Sequence, residues 1–419
     1  MDRQGARVVV LGGGGIGSVA ARSFAATDDA TSVTVADLDE GAARATVESI
    51  GDDRFDAAAV DVTDAAAIAR LVGDAAVVVN CVGPFYRFGH TTLANVIATG
   101  TDYVDVCDDL DATRRMLELD SAARDAGVRA VIGMGNSPGL ANIFVKLCAE
   151  WFLDEVRTAD IMHIHGGEPD EGAAVLKHRV HAMTNDVPLF VDGAFVDVRM
   201  LEESGARFTR DEEFPDVGTY PVHPYPHPET ITLPTVFPTL TGATNLGVVF
   251  PLAYFRMTQD LVRAGMASDE PVRVGDVEVA PIDVMVELLR RERPRLLAEA
   301  GVTGPGGCLK VVVGGVKDGE DHTYVCTVSS SEAGAGEGTG IPAALGGLLA
   351  LRGRLGGGPG VHPPEAVVPV GDLLELAAVV VDAMDDLQVG GSGGFPIRLE
   401  HVGPDGRREQ VPFDLGGAA

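Results

Sequence analysis

The sequence predicts a doubly wound α/β domain followed by a second, α+β domain with a mixed or antiparallel sheet. Three observations predict it: a glycine-rich turn between an apolar strand and an amphipathic helix, regular strand and helix alternation to about residue 132, and a later change to hairpin signals and Pro-rich chain.

The first strand, Val8-Val9-Val10-Leu11, runs into Gly12-Gly13-Gly14-Gly15-Ile16-Gly17, which sets Gly12, Gly14 and Gly17 at G-x-G-x-x-G spacing. Gly12 permits the tight turn, Gly14 lets backbone N–H groups approach phosphates, and Gly17 lets the helix over 18–26 pack closely on the strand. With Gly15 and Ile16 these residues form a pyrophosphate cradle of the Rossmann kind. A second strand over 33–36 ends at Asp37, 20 residues past Gly17. An acid there takes both ribose hydroxyls and repels a 2′-phosphate, so the pattern favours NAD over NADP. Enzymes that use S-adenosylmethionine also show a glycine loop and a following acid, although the three-glycine spacing suits a pyrophosphate better. The plainest competing reading is a strand turn with Asp37 as a solvated cap.

A helix over 41–50 and a strand over 57–60 come next, with Asp61 and Val62 just past the strand and Asp64 capping a helix over 65–72. The buried strand over 76–80 opens into Cys81-Val82-Gly83-Pro84, placed at the nicotinamide end. A helix over 91–99, a strand over 103–106, a helix over 112–126 and a strand over 129–132 complete six strands with helical crossovers. Ligands of such sheets bind beyond the carboxyl ends of the strands, which puts Gly12, Asp37, Asp61, Val82 and Asp105 on one edge.

A helix over 140–152 leads into the second domain, with a strand over 159–165 and a helix or strand over 175–183. A hairpin over 189–198 turns at Asp192-Gly193. The Pro-rich stretch 220–238 reads as extended, 281–300 as a basic amphipathic helix, and 309–313 pairs with 323–328 across Lys317-Asp318-Gly319. A loop over 329–338 precedes an apolar helix through 351 and another helix over 373–387, neither with a core of its own. A hairpin pairs 397–402 with 408–412. The division expected is a dinucleotide-binding domain over 1–140, a substrate and dimerisation domain over 141–335, helices returning to the first domain over 336–390, and a hairpin tail over 391–419.

Composition narrows the function classes. The net charge of -30, from 62 acids against 32 bases, repels nucleic acid and anionic lipid. High-salt adaptation and GC-rich codon usage both fit this acidity. No apolar run approaches bilayer length, and the start reads as no signal peptide, so the expectation is a cytoplasmic protein. Cys81, Cys107, Cys148, Cys308 and Cys326 form no C-x-x-C pair. No metal site is expected either, because the histidines of the Pro-rich stretch are separated by prolines and lack a close third ligand.

With these residues in view, the chain resembles the saccharopine dehydrogenase-like family. The matching runs are the glycine loop, Val35-Ala36-Asp37, Val78-Val79-Asn80 with Pro84-Phe85-Tyr86-Arg87-Phe88, Tyr103-Val104-Asp105, Ser137-Pro138-Gly139-Leu140-Ala141-Asn142 and Val313-Gly314-Gly315-Val316-Lys317-Asp318-Gly319. Thr339-Gly340-Ile341-Pro342-Ala343-Ala344 and Gly360-Val361-His362-Pro363-Pro364-Glu365 continue the match in order. The resemblance implies hydride transfer between a nicotinamide and a carbon bound to nitrogen, on an amino acid, a polyamine or an opine-like secondary amine. It also implies catalytic roles for Tyr86, which can orient substrate or pass a proton, and for Asp105, which can stabilise a protonated imine. An aromatic wall and a structural hydrogen bond are the competing readings of those two residues.

Substrates of that family carry carboxylates and amines. Lys177-His178-Arg179 is the strongest basic cluster, and Arg179 is placed on a substrate carboxylate, against the alternative of pairing with Glu168, Asp170 or Glu171. His227, in the Pro-rich segment, and Asn142 are the other substrate-binding candidates. His163 and His165 share a strand face, suiting either a site lining or packing. A carbonyl reductase and a non-catalytic NAD(H)-binding sensor stand as alternative functions, and a homodimer is expected by analogy.

Overall fold

The computed structural model describes residues 6–169, 171–330, 335–384 and 397–412. The described residues divide into two compact units, those of 6–152 with 335–384 and 412, and those of 153–330 with 397–411.

The first unit opens with β1 (Arg7–Leu11), α1 (Gly15–Ala25), β2 (Ser32–Asp37), α2 (Glu40–Ile50), β3 (Phe55–Ala59), α3 (Ala65–Val72) and β4 (Val77–Asn80). α4 (Phe85–Ile97), β5 (Asp102–Asp105), α5 (Leu110–Leu117), α6 (Asp120–Ala126), β6 (Arg129–Val131) and α7 (Leu140–Trp151) follow. Side-chain caps start two of these helices: Asp39 accepts from the Gly41 N–H, and Asp64 from those of Ala66 and Ala67. Two sequence expectations change here. The helix expected over 91–99 begins a turn and a half earlier, which puts Tyr86 in its first turn, and the one expected over 112–126 is two helices meeting near Leu119.

The second unit contains β7 (Glu155–Gly166), α8 (Ala173–Ala182), β8 (Asp186–Val191), β9 (Ala194–Arg199), α9 (Glu203–Ala206), β10 (Arg210–Phe214) and β11 (Gly218–Pro224). Then come α10 (Glu229–Val236), β12 (Gly242–Phe250), α11 (Leu252–Arg263), β13 (Val272–Val274), β14 (Val277–Val279), α12 (Pro281–Glu299), β15 (Gly306–Lys317) and β16 (Glu320–Ser330). The stretch 220–238 is therefore not extended throughout: α10 forms despite Pro234 inside it. The chain then returns to the first unit with α13 (Ala335–Leu351), β17 (Gly360–His362), α14 (Pro364–Val367) and α15 (Val370–Ala383), and β18 (Ile397–Val402) and β19 (Arg408–Val411) rejoin the second.

Among the described residues, the sheet of the first unit has seven parallel strands in the order β17-β6-β5-β4-β1-β2-β3. The seventh strand, β17, adds to the six expected. Strand β4, and β1 from Val8 on, are fully buried, as continuous apolar runs should be in a parallel sheet covered on both faces. α13 is apolar all round because it packs against α1, β4, β5 and α15 together. The second sheet is mixed, ordered β10-β11-β12-β7-β15-β16-β18-β19, with β12 parallel to β7 and β15 antiparallel to it. α8, α11 and α12 contribute Leu176, Val180, Tyr254, Phe255, Met285 and Leu289 to its core.

The turn after β1 depends on a close approach. Gly12 has φ +97°, and a Cβ at Gly17 would overlap the Gly12 carbonyl oxygen, whereas one at Gly14 meets nothing within 4 Å. Gly17→Ala is thus expected to cost about 1–3 kcal/mol in urea unfolding, while Gly14→Ala leaves the midpoint unchanged; equal effects from both would contradict this packing.

Candidate active site

The parallel topology brings the sequence-predicted cofactor residues to one edge. Read along strands β3, β2, β1, β4 and β5, their carboxyl ends present Asp61, Asp37, the Gly12 turn, Cys81 and Asp105. Strand order reverses at β1 and β4, where a crevice for a ligand opens in sheets of this kind. Gly14 and Gly15 are exposed, with open space where a Cβ would stand, and Ile16 is half-buried beside them in the first turn of α1. Free backbone N–H groups at a helix start are what a pyrophosphate requires.

Asp37 is oriented by the protein's own backbone. Its Oδ2 accepts from the Gly13 N–H at 2.7 Å and its Oδ1 from the Asp39 N–H at 3.0 Å, while the Gly13 carbonyl accepts from Thr46 Oγ1 at 3.0 Å. Gly13, which the spacing argument passes over, is thus the link between glycine turn and acid. The loop after β3 is tied as well: Asp61 Oδ1 accepts from the Thr63 N–H and hydroxyl, which lower its pKa, and the Val62 carbonyl accepts from Asn95 Nδ2 at 3.1 Å.

Past β4, a buried polar chain sets the loop Cys81-Val82-Gly83-Pro84. The Val82 N–H donates to Asn80 Oδ1 at 3.0 Å, Asn80 Nδ2 donates to the Tyr103 hydroxyl at 2.9 Å, and that hydroxyl lies against Asp105. Asp105 is wholly buried, and its Oδ1 accepts from the N–H groups of Cys107 at 3.0 Å and Gly133 at 2.8 Å. Burial raises its pKa to about 6, and those donors oppose the rise. Burial and the Asp105 charge also push the Cys81 thiol up to about 12, which makes it a poor nucleophile. Tyr86 is half-buried, and its backbone is held from both sides: its N–H donates to Asp109 Oδ2 at 2.8 Å and its carbonyl accepts from Arg115 at 2.6 Å.

The substrate-binding candidates have internal partners. Asn142, expected to bind substrate, caps α7: its Oδ1 accepts from the Gly139 N–H at 2.9 Å, and its Nδ2 donates to buried Glu365 at 2.8 Å. Arg179, expected on a substrate carboxylate, instead grips Glu171 through two bonds of 2.9 and 2.6 Å and is 2% exposed. Arg293 lies 3.0 Å from the same carboxylate, the Tyr254 hydroxyl donates to it at 3.0 Å, and Arg293 also donates to the Glu168 carbonyl at 2.6 Å. No local spacing signals this knot, since Glu171 and Arg293 are far apart in the chain. Lys177 pairs with Asp283 at 2.7 Å.

His227 is buried and stacks on His163, centroids 4.9 Å apart and planes at 6°, with Tyr225 edge-on to both at 5.0 and 5.2 Å. Burial lowers the pKa of His163 to about 3, so the ring is neutral at working pH. His165, on the same strand, is likewise lowered to about 4, by burial first and then by Arg179.

The model of the saccharopine dehydrogenase NADP-binding domain matches residues 8–131, the stretch that builds this edge. The chain is saccharopine dehydrogenase-like. It is an NAD(P)-binding oxidoreductase of dehydrogenase type. The carboxyaminopropylagmatine dehydrogenase of Synechocystis sp. is 27% identical to it over 376 residues, 83% of this chain and 90% of that protein. The carboxynorspermidine synthase of Vibrio cholerae is 24% identical over 395 residues, 86% and 92% of the two chains. Among solved structures, apo saccharopine dehydrogenase (L-Glu forming) from Saccharomyces cerevisiae shares the fold, with a TM-score of 0.63 at 17% identity, over 95% of this chain and all of that one. Among the described residues, no helix is long and apolar enough to cross a membrane.

The Glu171 knot makes a pH prediction. Burial opposes ionisation of Glu171, but Arg179 and Arg293 outweigh it and lower the pKa from 4.5 to about 2. A depressed carboxylate supplies stability that is complete above its unfolded value and lost as pH falls through the folded one. Urea midpoints should therefore fall between pH 4.5 and about 2. Glu171→Gln should flatten that dependence and cost roughly 3–5 kcal/mol at neutral pH, because two buried guanidiniums lose their shared partner; a loss within experimental error would refute the assignment.

Proposed function

We propose that this chain is an NAD-preferring oxidoreductase that acts on a C–N bond of a polyamine- or amino-acid-derived secondary amine. The observation that carries the cofactor preference is the fixed carboxylate of Asp37. Both its oxygens keep lone pairs beyond the Gly13 and Asp39 bonds, so they can accept from two ribose hydroxyls, while their charge opposes a 2′-phosphate. Arg44, in the second turn of α2, pairs with Glu40 and so is held by an acid of its own helix. The family domain is described as NADP-binding, and this local electrostatic pattern is the reason for reading NAD here. The C–N chemistry is supported by the relatives, whose names place both on carboxyl-bearing polyamines.

Bound at this edge, a nicotinamide dinucleotide supplies two-electron redox chemistry at the substrate carbon. The residues proposed to hold it are Gly12, Gly14, Gly15, Ile16 and Gly17 at the pyrophosphate, Asp37 at the ribose, Asp61 and Val62 along the adenosine side, and Cys81, Val82, Gly83 and Pro84 at the nicotinamide end. Tyr86 is the proposed catalytic residue, orienting the substrate nitrogen or exchanging a proton with it through its phenol. Asp105 does its work one layer back. Buried and held by two amides, it is a positioning residue that sets the loops after β5 and β6.

Two measurements test this reading. Wild-type kcat/KM should favour NADH over NADPH by at least about tenfold, and Asp37→Asn should shrink that ratio by a similar factor; a wild-type preference for NADPH would overturn the cofactor assignment. Tyr86→Phe should lower kcat for an amine-dependent reaction about 10²-fold with the dinucleotide Kd unchanged, and an unaltered single-turnover rate would remove Tyr86 from the chemistry.

A further inference from the structure

We propose that His163 is the residue through which the second unit recognises an amine: its Nδ1 accepts a hydrogen bond from a substrate N–H. The inference rests on the reading above that the substrate carries amines, and it assigns to that recognition a residue of the second sheet.

The position of the ring is specified by the sheet. β7 and β12 run parallel with His163 opposite Gly247, and the imidazole lies flat over that glycine. A Cβ at Gly247 would overlap Cε1 of the ring and come within 2.6 Å of Nε2 and 3.0 Å of Nδ1, so a glycine is required for the ring to lie there. His227 covers the ring in a parallel stack, and the edge of Tyr225 closes a side.

The proton on the ring is specified by a relay. His163 Nε2 is 3.1 Å from Asn245 Oδ1, and Asn245 Nδ2 is 3.2 Å from Oε1 of buried Glu229. The Asn245 amide turns its NH₂ to Glu229 and its oxygen to His163. Nε2 therefore carries the hydrogen, and Nδ1 carries the lone pair. Among the described residues the side-chain hydrogen bond of His163 is the one through Nε2, which leaves Nδ1 to a ligand, and the residue keeps 7% of its surface exposed.

An acceptor nitrogen selects the chemistry of its ligand. It takes an ammonium, a secondary amine or a guanidinium N–H and offers nothing to a carboxylate oxygen. The nearby guanidiniums of Arg179 and Arg293 are both engaged by Glu171, and Arg293 by Glu168 as well, so they do not reverse that choice.

The test compares 1,4-diaminobutane with succinate, a chain of the same length ending in carboxylates, by calorimetry on the full chain saturated with NADH. Wild type is expected to bind the diamine, and His163→Phe, which keeps a flat ring but loses the acceptor, to bind it about 10- to 100-fold more weakly with the NADH affinity unchanged. In wild type, ¹⁵N NMR of histidine-labelled protein should show His163 Nδ1 unprotonated and its signal moved by the diamine but not by succinate; this readout stands even where the variant fails to fold. Undiminished diamine binding by the variant, or a proton on Nδ1, overturns this assignment alone. Wild type that takes up succinate in preference to the diamine overturns it together with the reading of the chain as an amine enzyme.

Discussion

Helix α1 lies so close to β1 that the backbone of Gly17 rests on the carbonyl of Gly12, and the cofactor edge follows from that contact. β1 stands at the reversal of strand order, so the place where α1 begins decides where its unbonded N–H groups point. The same turn carries Gly13, whose N–H orients Asp37 on the next strand and whose carbonyl is tied to α2 through Thr46. One backbone contact thus sets both the phosphate cradle and the acid beside it.

Burial acts on two carboxyl groups in opposite directions. Asp105 meets two N–H groups and a phenol but no cation, and burial, with the Asp108 charge adding to it, raises its pKa. Glu171 meets two full charges and falls. The difference sorts their roles: the first fixes loop geometry at the strand ends, and the second neutralises Arg179 and Arg293. A chain of net charge -30 also draws cationic amines toward it and opposes an anionic dinucleotide, which must therefore be won by specific backbone donors.

The features legible in the sequence were those with a local period or a local turn. Val8 to Leu11 and Val77 to Asn80 read as buried strands because their apolar runs have no other home, and Asp192-Gly193 marked a hairpin because few residues tolerate its backbone. Proline density misled the reading of 220–238. α10 starts directly after Pro228, and Pro234, six residues into a short helix, removes just one backbone donor. Partner choice was legible only in part: Glu171 stood among the three acids weighed for Arg179, and the burial of the pair was not legible. Nothing near Arg179 distinguishes a guanidinium facing solvent from one gripping Glu171, and Arg293 sits in a helix whose charge suggests an exposed face although it is fully buried. Asn142 looked like a free polar group because Glu365, its partner, is 223 residues away.

That distance bears on how the protein is made. β17 completes one edge of the first sheet, α13 covers α1 and the centre of that sheet, and Glu365 closes on Asn142. A ribosome delivering this chain releases the whole span from β7 to β16 before any of those pieces emerge. The inserted unit, short of its two outermost strands, can therefore mature first, while the nucleotide-binding half waits as an uncovered sheet for its own carboxyl-terminal third.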